Sequence, residues 1–307
     1  MNLVLFLEQT LNGLQLGVML FLMAAGLTLV FGIMNLVNLA HGSLYMVGAY
    51  LATYFYQATG SFALGVLLGL SGTLVVGIVV ELVALRTLYE RDHLDQVLAT
   101  FGLILFFNEL IATLWGRSAI FATMPPELSG HVELIGGLRY PLYRLAIIVV
   151  GLAVAGLLWY VVGRTRLGML IRAGASNRTM VAALGVNIRL LYTVVFGFGA
   201  ALAGLAGLMA GPIHVVQPGM GELVLIDVFV VIVIGGIGSI RGAFAAALIV
   251  GMVDTMGRAF LKPMLALVIS PVAADTAGPA LASMLIYLLM AAVLAVRPEG
   301  LFPSRGS

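Results

Sequence analysis

Residues Arg164 to Asn187 read RTRLGMLIRAGASNRTMVAALGVN, a polar island between two long apolar runs. Five arginines (164, 166, 172, 178 and 189) fall between Arg164 and Arg189, one third of the fifteen Lys+Arg residues of the chain. No acidic residue lies between Glu133 and Glu222. In a membrane protein, such a cluster of arginine in one short loop places that loop in the cytoplasm.

The composition supplies the membrane. The 307 residues are 62% hydrophobic and 9% charged, with 38 glycines and a mean hydropathy of +1.15. A soluble domain of this length cannot hide so much apolar surface, whereas a polytopic helical bundle requires it. Cysteine is absent, which excludes disulfides, thiolate metal sites and cysteine nucleophiles. The net charge of +2 is set by topology, and no basic, aromatic-studded face suggests nucleic acid. The N-terminus lacks a basic region and a small-residue cleavage site, so Leu11–Phe31 is expected to be a retained span.

Apolar segments of spanning length recur at about 11–32, 38–57, 62–85, 97–115, 143–163, 190–211, 223–236, 243–260 and 278–296. The expected fold is therefore all-α, a polytopic membrane helical bundle of about eight or nine spans forming one transmembrane domain over 1–307. Segment 223–236 is short for a full crossing and is expected to be a half-helix or re-entrant piece. Arg86 and Arg91, the 164–189 island, and Arg297 with Arg305 should share the cytoplasmic side, with the C-terminus inside and the N-terminus outside.

Two stretches interrupt the helical pattern. In Gly32–Gly42, Asn35, Asn38 and His41 punctuate an apolar run; the second is GGIGSIRG from Gly235 to Gly242. Unwound backbone persists in a membrane only where protein buries it or a watery cavity receives it. Asn35, Asn38, His41 and Tyr45 are neutral donors and acceptors suited to passing a small polar solute. They are equally suited to satisfying unwound backbone, and both readings stand. The similarity of the two breaks suggests an internal duplication, about 11–115 and 143–296, as in transporters built from repeats. Small-residue packing between helices explains the glycines as well.

Other polar groups are weighed singly. Glu109 beside Asn108, and Asp254, fall within spans and look isolated, so structural hydrogen bonding is the expectation for both; Glu222 and Asp227 are expected at the outer interface. The loop 116–140, opposite the arginine island, contains two strand-like pieces around Gly136-Gly137 and is expected to form a small hairpin. It serves either as a cap over the helices or as a docking surface.

Within the island, Asn177, Met180, Val181 and Leu184 recur at helical spacing, with Ser176 placed to cap and Gly185 to end a short helix. Two turns are unstable alone in water, so the helix needs a neighbouring surface. That surface is a groove in an energising subunit or a layer of lipid head groups. Chemistry of its own is missing: there is no phosphate-binding loop, the lone lysine is Lys262, and His41, His93, His131 and His214 are scattered. No nucleophile elbow occurs, so an enzyme of familiar class is not expected.

Four ordered stretches carry a family resemblance: GLTLVFGIMNLVNLAHGSLYMVGAYLA (26–52), RAGASNRTMVAALGVN (172–187), VIGGIGSIRGAFAAALIVGMVD (233–254) and RPEGLF (297–302). Together they resemble the LivH-type permeases of branched-chain amino-acid ABC importers over essentially the full length. The Asn-Leu-Ala-His-Gly run is closer to that subunit than to its M-type sister. The resemblance implies a path-forming subunit in a bacterial-type inner membrane. Its implied partners are a homologous M-type permease, two cytoplasmic ATPases that bind ATP and Mg, and an extracytoplasmic solute-binding protein. It implies no cofactor in this chain. By motif, the substrate path takes in Asn38, His41 and Gly42 at the first break and Gly235, Gly236, Gly238 and Ser239 at the second, with Asn35 and Tyr45 beside them. ATPase coupling takes in Arg172, Asn177, Met180, Val181, Ala182, Leu184 and Gly185. One departure is visible: the acidic residue often found near Arg178–Thr179 is absent. The alternatives are an ion-coupled carrier of a small polar solute, or the same importer class acting on amides, urea or aromatic acids.

Overall fold

The computed structural model describes residues 3–134 and 137–302, so Gly136 of the expected turn and Arg305 lie outside the described residues. Among the described residues, nine long helices follow the nine apolar segments: α1 Leu3–Met34, α2 His41–Thr59, α3 Phe62–Val83, α4 His93–Trp115 and α5 Leu142–Arg164, then α8 Ile188–Ala210, α9 Met220–Gly235, α10 Ile240–Leu265 and α11 Pro271–Val296. Between α5 and α8 lie two short helices, α6 Arg166–Ser176 and α7 Arg178–Ala183. Seven of the long helices are long and apolar enough to cross a membrane. The expected eight or nine spans exceed that number by α2, dotted with tyrosine, glutamine and threonine, and by α9, whose 16 residues rise only about 24 Å.

The core is built around α1, which is apolar on all sides and buried over most of its length, as a central membrane helix must be. It packs along α10 and α8. At the α1–α10 crossing, Gly13 and Gly17 meet Ala247, Gly251 and Met252; a Cβ on Gly17 would lie 2.8 Å from the Ala247 carbonyl. Small residues four apart on both helices let the backbones touch, and dispersion between them replaces the hydrophobic drive that lipid does not supply. α4, α5 and α11 lie at the periphery and turn most of their apolar surface outward.

One end of the bundle gathers the basic residues. There the end of α3 meets the start of α8, α6 meets the end of α1, and the α9–α10 turn meets the segment after α11. At the other end, β1 (His131–Glu133) and β2 (Arg139–Pro141) pair antiparallel, with Val132 opposite Tyr140. Tyr140 is buried, its hydroxyl donates to Asn12 (3.2 Å), and burial pushes its phenol up to about 12.

Two expectations about lone carboxylates are corrected. Asp254 is paired with Arg258, one helical turn on (2.8 Å), and Glu109 with Arg117 beyond the end of α4 (2.7 Å). Glu222 is likewise no freely solvated group, because it accepts from Asn108 of α4. Asp227 sits further along α9, half-buried.

Candidate translocation and coupling elements

The first break begins where Asn35 takes a positive φ of 51°, a conformation asparagine tolerates better than most residues. Val37 N–H then donates to the Gln96 side chain of α4 (3.3 Å), which in turn donates to the Leu88 and Arg91 carbonyls (3.2 Å each). α2 starts at His41 without a side-chain cap. The His41 Nε2 lies 3.2 Å from the Met23 carbonyl, which requires the proton on Nε2. Among the described residues its Nδ1 has no partner, and neither the amide nitrogen nor the oxygen of the Asn38 side chain has one. Both side chains are buried (Asn38 0%, His41 1% exposed), so these atoms are held at a cost that only dense packing offsets.

That packing is visible. Gly42 lies against Gly221 at the start of α9, where an added Cβ would sit 2.5 Å from the Gly221 carbonyl. Tyr45 is buried against α8, its carbonyl touching Gly207. The start of α2 is therefore clamped between α1, α8 and α9 inside the apolar bundle.

The second break is built from backbone conformation. α9 ends at Gly235; Gly236 and Gly238 take φ of 99° and 80°, and Ser239 caps α10 by accepting from Gly242 N–H (3.1 Å). The last turn of α9 leaves carbonyls without helical partners. Leu301 N–H donates to Ile234 O (2.8 Å) and Phe302 N–H to Gly235 O (3.1 Å), so the RPEGLF stretch closes them. Two stretches that read as separate motifs in the sequence are thus one structure.

The arginine island folds as an elbow of two helices with polar caps at each start. Thr165 accepts from Gly168 N–H (3.2 Å), Asn177 from Met180 N–H (2.9 Å) and Asn187 from Leu190 N–H (3.0 Å). Asn177, not Ser176, caps α7, because Ser176 still belongs to α6. Gly185 ends the elbow at φ 86°, as expected. The stripe of one helix face is split by packing: Val181 is buried, while Met180 and Leu184 are 61% and 77% exposed. Ala182 and Gly185 are exposed beside them. Arg172 donates to the Val162 carbonyl and ties α6 back to α5.

A cavity of about 1790 Å³ opens at this end. Asn35 from the first break, Gly238 and Ser239 from the second, and Arg172 with Asn177 from the elbow all line it. Asn38, His41, Gly42, Tyr45, Gly235 and Gly236 do not; they are sealed in the packing.

One cluster escaped the sequence analysis. Glu81 is wholly buried and accepts from Arg86 (3.3 Å), Tyr89 (2.7 Å) and Thr193 of α8 (2.8 Å). Burial, and then the bond to Glu81, raise the Tyr89 phenol above its ordinary value. This network pins the basic ends of α3 and α8 together. The arginine five residues after a solitary span glutamate was its one legible sign.

Comparison with known proteins finds relatives over most of the chain. The family model described as "Branched-chain amino acid transport system / permease component" matches residues 9–294. The chain is 30% identical, over 96% of its length and 95% of the relative's, to the high-affinity branched-chain amino acid transport system permease protein BraD of Pseudomonas aeruginosa. It is 29% identical to LivH of Escherichia coli K12, covering 84% of this chain and 87% of that one. It is 28% identical to a probable LivH of Methanocaldococcus jannaschii, covering 78% and 76%. No solved structure matches.

Proposed function

Because the chain belongs to the branched-chain amino acid permease family, and is thus a transmembrane permease of an ABC importer, we propose that its cargo is a branched-chain or closely related amino acid. In this proposal an extracytoplasmic solute-binding protein delivers the substrate and a homologous M-type permease supplies the other half of the path. Two cytoplasmic ATPases bind ATP and Mg, in keeping with the lack of a phosphate-binding loop motif in this sequence. The basic end faces the cytoplasm, with the N-terminus outside and the C-terminus inside a bacterial-type inner membrane. One permease domain, carrying an internal duplication, spans the chain.

The observation that carries the proposal is the elbow α6–α7. It is capped at both helix starts, anchored by Ile171 and Val181, and presents Met180 and Leu184 outward at the basic end. Exposed apolar side chains on an anchored short helix suit a groove in a partner. Arg172, Asn177, Met180, Val181, Ala182, Leu184 and Gly185 form this coupling segment. ATP binding draws the ATPases together, and their motion passes through the elbow into α5 and α8. The two breaks bound the path: Asn35, Asn38, His41, Gly42 and Tyr45, of which all but Asn35 are packed in the conformation described, meet the solute when the ATPases move, and Gly235, Gly236, Gly238 and Ser239 form the structural turn on the other side. A path of neutral groups leaves selection to the binding protein.

Leu184→Glu tests the coupling role. It should leave the chain in the membrane, with normal thermal stability, while uptake falls by about tenfold or more, the equivalent of losing a contact worth ~1.4 kcal/mol. Normal uptake with normal assembly would refute the role. Since the chain has no cysteine, Ser176→Cys offers a single label site, expected to react with impermeant reagent only from the cytoplasmic side.

A further inference from the structure

The cavity at the basic end has a chemistry that a zwitterionic solute does not explain. Its deep wall is apolar: Phe21 and Leu29 of α1, Leu152 of α5, Phe244 of α10 and Leu294 of α11. Its rim is cationic, formed by Arg172, Arg178 and Arg241, with Glu299 the lone carboxylate among the described lining residues. Arg178 and Arg241 are exposed and have no ion-pair partner among the described residues.

The dimensions match this polarity. From Phe21 to Asn35 the α1 wall rises about 21 Å. Half of a hydrocarbon core is about 15 Å, so the wall covers one leaflet's acyl depth and its remainder reaches the head groups, where the arginines stand. The wall also joins two peripheral helices, α5 and α11, that turn apolar surface outward, so the cavity lies next to the bilayer.

We propose that this cavity is a binding site for an anionic phospholipid of the leaflet at the basic end. The phosphate lies among Arg241, Arg178 and Arg172, and an acyl chain lies along α1 between α5 and α10–α11. Basic pockets between spans at the membrane surface take anionic head groups in this way. The lipid then bridges the coupling elbow and the second break, which contribute the two sides of the rim. The site rests on the transmembrane architecture but not on the identity of the cargo.

The chain supplies its own reporter. It has two tryptophans; Trp159 lines the cavity, and Trp115 lies on the last turn of α4, in tilted contact with Tyr50 and edge-on contact with Tyr54. The full chain carrying Trp115→Phe is reconstituted into phosphatidylcholine vesicles. A minor fraction of chain-brominated phosphatidylglycerol or chain-brominated phosphatidylcholine is then added, and Trp159 fluorescence is read. Brominated phosphatidylglycerol should quench Trp159 more strongly at equal mole fraction. Arg241→Gln should weaken its apparent affinity about fivefold, the equivalent of ~1 kcal/mol for one head-group arginine. Arg189→Gln, at the same end but off the cavity, should leave the affinity unchanged.

Equal quenching by the two lipids, or an unchanged affinity in Arg241→Gln, would overturn the site. Displacement of the brominated lipid by inorganic phosphate alone would show an anion site without a lipid, and would overturn it too. So would loss of the excess quenching when the companion permease is bound, since a partner helix would then be the occupant. Normal uptake alongside equal quenching would reject the lipid and leave the importer intact.

Discussion

At the first break Asn38 and His41 stand in a packed apolar interior with side-chain atoms that have no partner among the described residues, while Asn35 faces the cavity. At the second, two glycines and a capping serine make the same interruption with hardly a polar side chain, beside an open cavity. A helix can thus be broken inside a membrane by burying polarity or by bending backbone. Only the first leaves polar groups unspent. In the path proposed above, those amide and imidazole atoms are the groups offered to a solute.

Four substitutions test that contrast, from the largest expected effect to the smallest. Gly42→Val drives side-chain carbon into the Gly221 backbone, which cannot yield as a rotamer can. We expect destabilisation at or above the upper end of the ~1–3 kcal/mol typical of overpacking, read as loss of the monodisperse peak after solubilisation. Survival of that peak would mean that α2 and α9 are not clamped. Asn38→Leu removes the unbonded amide. The melting temperature should hold or rise, by up to the equivalent of the ~1–3 kcal/mol that a buried unsatisfied group costs, while uptake collapses. Unimpaired uptake would make the first break a joint like the second.

Gly238→Ala places a Cβ at φ 80° and should cost about 1–2 kcal/mol of stability, with uptake reduced only in proportion to the folded fraction. A disproportionate loss of uptake would give the second break a transport role of its own. Ser239→Ala deletes the α10 cap and should cost about 1 kcal/mol. A thermal shift indistinguishable from zero would show that the tail from Arg297 to Phe302 already holds the turn.

The helices were legible because apolar runs of spanning length announce themselves, and each of the nine found its helix. Their ends were not. α1 starts at Leu3 rather than near residue 11 because Glu8 and Gln9 ride on the same helix, and α10 continues through Lys262 and Pro263. The elbow was legible as a helix but not in its facing. Spacing groups Met180, Val181 and Leu184 together, and only contact with the rest of the fold decides that Val181 goes in and the others out. Pairings beyond the local turn, such as Glu81 with Thr193 or Gly235 with Phe302, depend on tertiary neighbours and leave little trace in the chain itself. The Asp254–Arg258 pair is different: its four-residue spacing was there to be seen.

The seat of Leu301 and Phe302 on the last carbonyls of α9 has a practical corollary for handling the molecule. Trimming the chain after Gly300 would strip both donors from Ile234 and Gly235, so such a deletion should loosen the turn at Gly236 long before it disturbs any span. Faster amide exchange at residues 236–242, with the rest of the protein unchanged, would register the latch coming undone.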